Sequence, residues 1–233
     1  MPAFQKRLSG QVTDTLDRLH LMITSLAVAR MIESLPTVQR LGLIAVAAAL
    51  GFSAPQGAPD AWHIDSNHSA AYFAVRHLMI STVRGTFNGV SGVVHYDPKH
   101  VNDASVEASV DCRTLNTGVA KRDDQMKGPD FFDTKRFPMM KFHSKRVEQA
   151  GPGKLKITGE LTINDITRPV ALDVEGPSPP VKDAQGREKI GLNASTKIDR
   201  KDFHIIWNEV LDGGGLAVAD EVSITLDIEL IRG

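Results

Sequence analysis

The chain has 233 residues with 27 basic and 28 acidic side chains, a net charge of −1, and 42% apolar residues. That length suits one all-β domain preceded by a leader, and the even charge offers no basic stripe of the kind that nucleic-acid binding requires. A single cysteine, Cys112, excludes an intrachain disulfide and any all-cysteine metal centre.

The first element is a leader over residues 1–58. Within it Leu41 to Phe52 (LGLIAVAAALGF) runs twelve residues without a charge, preceded by Arg40. Twelve is short of the roughly 20 residues that cross a bilayer and fits the apolar segment of a signal peptide. Gly51, Ser53, Ala54 and Ala58 supply small residues for cleavage between 51 and 58. The alternative is a buried helix, which the linker-like Pro55-Gln-Gly-Ala-Pro59 argues against. Residues 1–30 are long for the n-region of a signal peptide, so Met22 or Met31 is the expected start. Loss of 1–58 removes five basic and three acidic residues and leaves 59–233 at a net charge of −3. The expectation is an exported, periplasmic domain with no transmembrane segment in its mature form.

From residue 59 onward, apolar and polar residues alternate with a period of two, the signature of strands. Strand one runs from Ala70 to Leu78, with Ala71, Phe73, Val75 and His77 on one face. Strand two spans about Val83 to Tyr96, where Gly85, Gly89 and Gly92 mark bends or bulges. Strand three, Ala104 to Arg113, turns Val106, Ala108 and Val110 inward and Glu107, Ser109 and Asp111 outward; Cys112 continues its apolar register. Alternation then fails from Asn116 to Phe137. Val119 to Lys127 reads as a short helix stopped by Gly128-Pro129, and Phe131-Phe132 is expected to plug a core, making this insert a lid or side wall. Strands resume at Pro138 to Val147 and at Lys154 to Ile163, followed by an Asn164-Asp165 turn and a returning strand through Val170, Leu172 and Val174. Ile190 to Ile198 and Val222 to Leu230 are the seventh and eighth.

Eight long antiparallel strands can close into a barrel with room for one small ligand or stack as a two-sheet sandwich that fills its own core. Small inward positions (Ala71, Val75, Gly85, Val106, Ala108, Gly159, Ala194) and an aromatic content of 6% favour the barrel. The fold class expected is all-β, an eight-stranded antiparallel barrel with a short helical insert between strands three and four.

Trp62-His-Ile-Asp65, His68-Ser69, Phe73, Val75, His77-Leu78, Gly85-Thr-Phe87 and Gly89 resemble the opening of the YceI-like family. The resemblance continues through Arg122-Asp123, Gly128 to Asp133 (GPDFFD), Phe137-Pro138, Phe142, Ser144, Gly159 to Ile163 and Arg200-Lys-Asp-Phe203. It implies an extended lipocalin-like barrel, often periplasmic, that holds a polyisoprenoid, a quinone-like lipid or a related lipid amide in an elongated cavity. Two positions depart from the family pattern: His204 stands where a glycine is common, and Asp124-Gln125-Met126 stands where His-Leu is usual.

An isoprenoid site needs apolar walls and a few polar groups at one end. The wall candidates are Phe73 and Val75 on strand one, Phe87 on strand two, and Val106 and Val110 on strand three. Met126, Phe131 and Phe132 join them from the insert, and Phe142, Leu161 and Ile163 from the strands after it. His77, Arg84, Arg122 and Arg200 are the head-group candidates, since arginine pairs well with phosphate or quinone oxygens. The bland alternative for each arginine is a structural pair, such as Arg122 with Asp123 or Arg200 with Asp202. Eight histidines make no recognised metal-ligand spacing, and no nucleophile motif or phosphate loop is present. The expected function is therefore binding, and carriage or storage, of a long isoprenoid lipid, without catalysis, resident metal or cofactor. An enzyme or a metal-binding stress protein using the same cavity is the alternative, and a homodimer is the one self-association considered.

Overall fold

In the structure, a computed structural model, residues 60–211 and 215–233 are described. The leader expected over 1–58, with its apolar segment 41–52, lies outside the described residues. Eleven strands follow one another: β1 (Ala61–Ile64), β2 (Ala70–His77), β3 (Ser81–Phe87), β4 (Val90–His95), β5 (Ser105–Asp111), β6 (Met139–Gly151), β7 (Lys154–Ile163), β8 (Ile166–Glu175), β9 (Val181–Lys182), β10 (Glu188–Asp199) and β11 (Val218–Arg232). The one α-helix among the described residues, α1 (Ala120–Lys127), sits between β5 and β6.

These strands form a closed eight-staved antiparallel barrel. Strands β1 and β2 lie end to end along one edge of β11, which meets β1 at Leu230–Arg232 and β2 between Val218 and Asp227. Strands β3 and β4 form the next stave, interrupted at Asn88-Gly89. The meander continues through β5, β6, β7, β8 and β10, and β10 closes on β11 over eleven residue pairs from Lys189 to Asp199. Strand β9 is a two-residue appendage on β10. The expected count of eight staves and the position of the insert hold; the β1 half of the first stave is an addition.

The inward register follows the alternation. Ala71, Phe73 and Val75 on β2, Val106, Ala108 and Val110 on β5, and Leu155, Ile157, Leu161 and Ile163 on β7 all face the interior. The inward glycines carry a correction. Gly85 and Gly159 do not leave room for a ligand, because neighbouring rings lie over them. A Cβ on Gly85 would come within 2.4 Å of the Phe73 ring, and one on Gly159 within 2.6 Å of Phe142. Strand β8 starts four residues earlier than its apolar pattern suggests, at Ile166. Pro169 is tolerated there because proline needs one edge without a ladder bond, and Pro169 pairs only with Glu160 of β7. The Asn164-Asp165 turn holds both residues at positive φ, 50° and 63°, as a two-residue hairpin turn requires.

The insert, the β2–β3 turn, the β7–β8 turn and the segment from Arg200 to Ala217 gather at one end of the barrel, called here the insert end. The far end carries the β4–β5, β6–β7 and β8–β10 connections. All six non-glycine residues with positive φ among the described residues lie at the insert end: Leu78, Met79, Asp133, Asn164, Asp165 and His204. His204 closes a 3₁₀ turn (Arg200–Phe203) in the left-handed conformation, at φ 56° and ψ 21°. A glycine is the natural residue for that geometry. Replacing His204 with Gly is expected to raise stability by up to about 1 kcal/mol, the left-handed penalty less the entropy of glycine. Urea denaturation of the two proteins measures it.

Candidate functional site

A cavity of about 240 Å³ runs inside the barrel, lined by residues from Phe131, Phe203 and Ile205 at the insert end to Val94, Ile190 and Leu230 at the far end. Ile190 and Ile198 both line it from β10. At about 3.3 Å per residue and a tilt near 40°, that separation corresponds to about 20 Å along the barrel axis. The cavity is therefore long and narrow, and almost every atom on its wall is apolar.

Aromatic and aliphatic side chains pack at each end. At the insert end Phe132 meets Phe87 edge-on at 5.5 Å, Phe87 leans on Phe73 at 5.8 Å, and Phe131 packs on Trp207 at 5.3 Å between ring centroids. Asn164 ties the insert down by donating its side-chain amide to the Phe131 carbonyl at 2.6 Å. At the far end Trp62 packs with Val94, Ile190 and Leu230, and the Arg232 guanidinium lies over its ring at 4.9 Å while pairing with Asp60 and Glu188.

All eleven residues expected on the wall lie on the cavity lining: Phe73, Val75, Phe87, Val106, Val110, Met126, Phe131, Phe132, Phe142, Leu161 and Ile163. The four head-group candidates are not brought together. Arg84 is exposed on β3, opposite Ala74. His77 sits at the rim, at the end of β2, and does not line the cavity. Arg122 braces the insert, donating to the Thr117 hydroxyl at 2.8 Å and carbonyl at 3.0 Å. Asp123 accepts from the Thr117 amide at 2.8 Å, so the two neighbours meet through Thr117.

Arg200 alone of the four reaches the lining, where it is buried at 4% exposure, and its role is a different one. Its Nε donates to the Ala219 carbonyl at 3.0 Å, Nη1 to the carbonyls of Ile205 and Trp207, and Nη2 to the Val218 carbonyl and the Asp220 carboxylate at 3.4 and 3.2 Å. A guanidinium has five N–H donors, so none remains for a head group. Burial pulls its pKa below the usual arginine value, with Asp220 and Asp199 opposing. Its acidic partner is Asp220 rather than Asp202. Lys141, the other charged residue on the lining, is exposed.

A second polar cluster, unforeseen in the sequence, occupies the break between β1 and β2. Asp65, 8% exposed, pairs with His68 Nδ1 at 2.9 Å, accepts from the Asn67 amide at 3.1 Å and from Lys189 Nζ at 3.1 Å; Lys189 also donates to Glu229 at 2.6 Å. Oxygens and nitrogens of Asp65, His68 and Glu229 lie close enough together to hold a metal ion. The Lys189 ammonium already sits between the two carboxylates. Lys189 lies 124 residues from Asp65, too far for spacing to reveal the pair. The bonds from His68, and then Lys189, outweigh the burial that opposes them and hold the Asp65 carboxyl at about 2 instead of 3.8. A depressed carboxyl stabilises the fold above its unfolded pKa and loses that contribution as pH falls through the folded one. The Asp65 contribution is thus complete above about pH 4 and fades towards pH 2. Asp65→Asn should cost about 1–3 kcal/mol at neutral pH and remove that part of the acid-limb decline, as urea midpoints across the range will show.

Cys112 is buried at 2% exposure in a 3₁₀ turn after β5. Burial pushes its thiol up to about 11, so it is a small core hydrophobe at neutral pH.

The model of the YceI-like domain matches residues 62–230 of the chain. A UPF0312 protein of Vibrio parahaemolyticus is 33% identical over 166 residues, covering 70% of this chain and 87% of that protein. The Campylobacter jejuni YCEI protein superposes with a TM-score of 0.58 at 30% identity, over 68% of this chain and 90% of its own. A Saccharophagus degradans domain described as polyisoprenoid binding shares the fold with a TM-score of 0.54 at 13% identity, over 75% of this chain and 99% of its own. By domain match, sequence identity and barrel architecture together, the chain belongs to the family of YceI-like domain proteins.

Proposed function

We propose that the domain binds a long apolar chain of the isoprenoid class, of polyprenyl or quinone type, inside the barrel, and carries or stores it in the periplasm after export. The observation that carries this reading is the cavity: continuous from end to end, narrow, and almost without polar surface. Such a tunnel holds a chain through its length. Each CH₂ moved from water to the wall contributes about 0.8 kcal/mol, so a handful of isoprene units needs no charged anchor. With Arg200 saturated and His77, Arg84 and Arg122 off the lining, selection rests on length and cross-section, and a polar head lies at or beyond an end of the cavity. The Saccharophagus relative is consistent with this choice of ligand, although at 13% identity it shares the fold alone.

The reading is of a binding protein rather than an enzyme. The lining offers no pairing of nucleophile and base among the described residues: Arg200 is consumed, and Cys112 is neither on the wall nor ionised at neutral pH. The metal alternative draws on Asp65, His68 and Glu229, where the Lys189 ammonium already supplies the positive charge. The test is native mass spectrometry of protein purified from its own compartment, followed by organic extraction. One co-purifying polyprenyl or quinone lipid is the expected result. An empty barrel, under conditions in which a control lipid-binding protein keeps its lipid, overturns the carrier reading.

A further inference from the structure

The two ends of the barrel differ in chemistry. Connections at the far end carry Asp97, Lys99, Lys154, Asp183 and Arg187, with Arg232 beside them. At the insert end the insert carries exposed charges such as Lys121, Asp124, Lys135 and Arg136, but the β2–β3 turn and the segment from Ile206 to Leu216 present apolar tips: Met79 is 64% exposed, Ile80 79%, Ile206 66%, Val210 75% and Leu216 40%. Val119 is exposed at the same end, and among the described residues only Tyr72 and Val181 are large exposed hydrophobics elsewhere. Single exposed apolar residues scattered over a surface need no explanation, whereas a cluster does.

These tips form one lip. The Leu78 amide donates to the Ala217 carbonyl at 2.7 Å, and His77 pairs with Val218. Asn208 bonds Val218 in both directions, at 2.7 and 3.0 Å, the Ala217 amide donates to the Glu209 carbonyl at 2.9 Å, and Val210 bridges Leu216. The β2–β3 turn is thereby laced edge to edge with the segments around Val210 and Leu216. The turn itself is strained. Leu78 and Met79 both sit at positive φ, 51° and 58°, in a geometry where Asn-Gly is free of cost. Arg76 holds it by donating to the Met79 carbonyl at 2.7 Å and the Thr82 hydroxyl at 3.1 Å.

The barrel wall is also least bonded towards this end. Strands β8 and β10 pair through three residues, Asn193 with Glu175, Ala194 with Val174 and Ser195 with Asp173, against eleven pairs between β10 and β11. From there to the insert end their facing edges share no ladder among the described residues. The turn Arg200–Phe203 packs against both strands, and Phe203 and Ile205 line the cavity there.

We propose that the lip is a membrane-docking surface, which seats the insert end on a phospholipid bilayer so that the apolar cargo passes between bilayer and cavity there. This rests on the lipid-binding reading of the cavity. A bilayer fits better than a protein partner for two reasons. The exposed hydrophobic tips are aliphatic or methionine, with no exposed tryptophan or tyrosine among them of the kind that anchors protein interfaces; aliphatic tips suffice to enter the boundary between head groups and acyl chains. The cavity also reaches Val75, Val218 and Ile205, within a few residues of the tips, so cargo leaving there meets acyl chains and never water.

The experiment compares the protein in the form it has in the cell, its N-terminus checked by mass spectrometry, with the double variant Ile80→Asn/Val210→Asn. Three readouts are needed: co-sedimentation with phosphatidylethanolamine–phosphatidylglycerol vesicles, the rate of uptake of a fluorescent polyprenyl lipid from those vesicles, and equilibrium uptake of the same lipid from detergent. Each tip removed from the acyl boundary weakens docking, and the pair should lower vesicle binding and uptake rate by about tenfold or more, with unchanged circular dichroism and unchanged uptake from detergent. Equal vesicle binding by both proteins, no binding by either, or a wild-type dimer that the variant splits would overturn the proposal. If the wild type takes up no polyprenyl lipid from detergent yet loses vesicle binding in the variant, the lip stands as a docking surface and it is the cavity reading that fails.

Discussion

Ala108→Phe should weaken lipid binding on the order of a hundredfold while leaving the barrel folded. Ala108 lies on β5 with its side chain on the cavity wall, between Val106 and Val110, and pairs across the ladder with Gly92 on one side and Phe142 on the other. A benzyl group there enters the space a bound chain would fill midway along the tunnel. Displacing four CH₂ groups costs a ligand about 3 kcal/mol, on the order of a hundredfold in Kd. The protein itself loses little, because the added ring occupies existing cavity and spares packed neighbours the repacking that overfilling a tight core demands. The check is a titration with a fluorescent polyprenyl lipid alongside thermal unfolding. Unchanged affinity in a folded variant would show that the ligand lies elsewhere. Loss of affinity together with loss of fold would be resolved by Ala194→Val, a smaller intrusion at another buried lining position.

The wall was legible in the sequence because it depends on parity alone. Once a strand is recognised, every second residue faces inward, and Val106, Val110, Leu161 and Ile163 follow without further knowledge. The insert was legible for the opposite reason: alternation stops at Asn116 and returns after Phe137. Short elements escaped. Strand β1 has four residues, too few to show a period, and it joins the barrel by lying end to end with β2 along β11. The start of β8, Ile166 to Pro169, lies ahead of the apolar register Val170, Leu172 and Val174 by which the strand is recognised. The polar groups were the least legible. Arginine announces charge but not partners, and those of Arg200 are mostly backbone carbonyls, two on the irregular segment after β10 and two at the start of β11, a meeting no local pattern encodes. Asp65 meets Lys189 only because β1 and β10 both pair with β11, at Ile231 opposite His63 and Lys189.

Arg200→Met is the second substitution with a large expected effect, and it separates a structural arginine from a ligand-binding one. The wild-type guanidinium satisfies four carbonyls, those of Ile205, Trp207, Val218 and Ala219, and the Asp220 carboxylate. Methionine fills similar volume but donates nothing. The carbonyls lose their partner, and Asp220 keeps only Lys201, at 2.8 Å. Removing one member of a buried, charge-assisted network typically costs about 3–5 kcal/mol, and the urea midpoint should fall accordingly. Lysine at the same site would not restore it, since one ammonium cannot fan out to five acceptors. The affinity of the remaining folded protein for a polyprenyl lipid should change less than about threefold at a temperature where it is fully folded, because no donor of Arg200 faced the cavity to begin with. Because Arg200 holds Trp207 and Val218, and through them the segment bearing the exposed tips, uptake from vesicles should slow while uptake from detergent at equilibrium stays near wild type. The reverse pattern, intact stability with lost affinity, would assign Arg200 to the ligand and reopen the choice of head group.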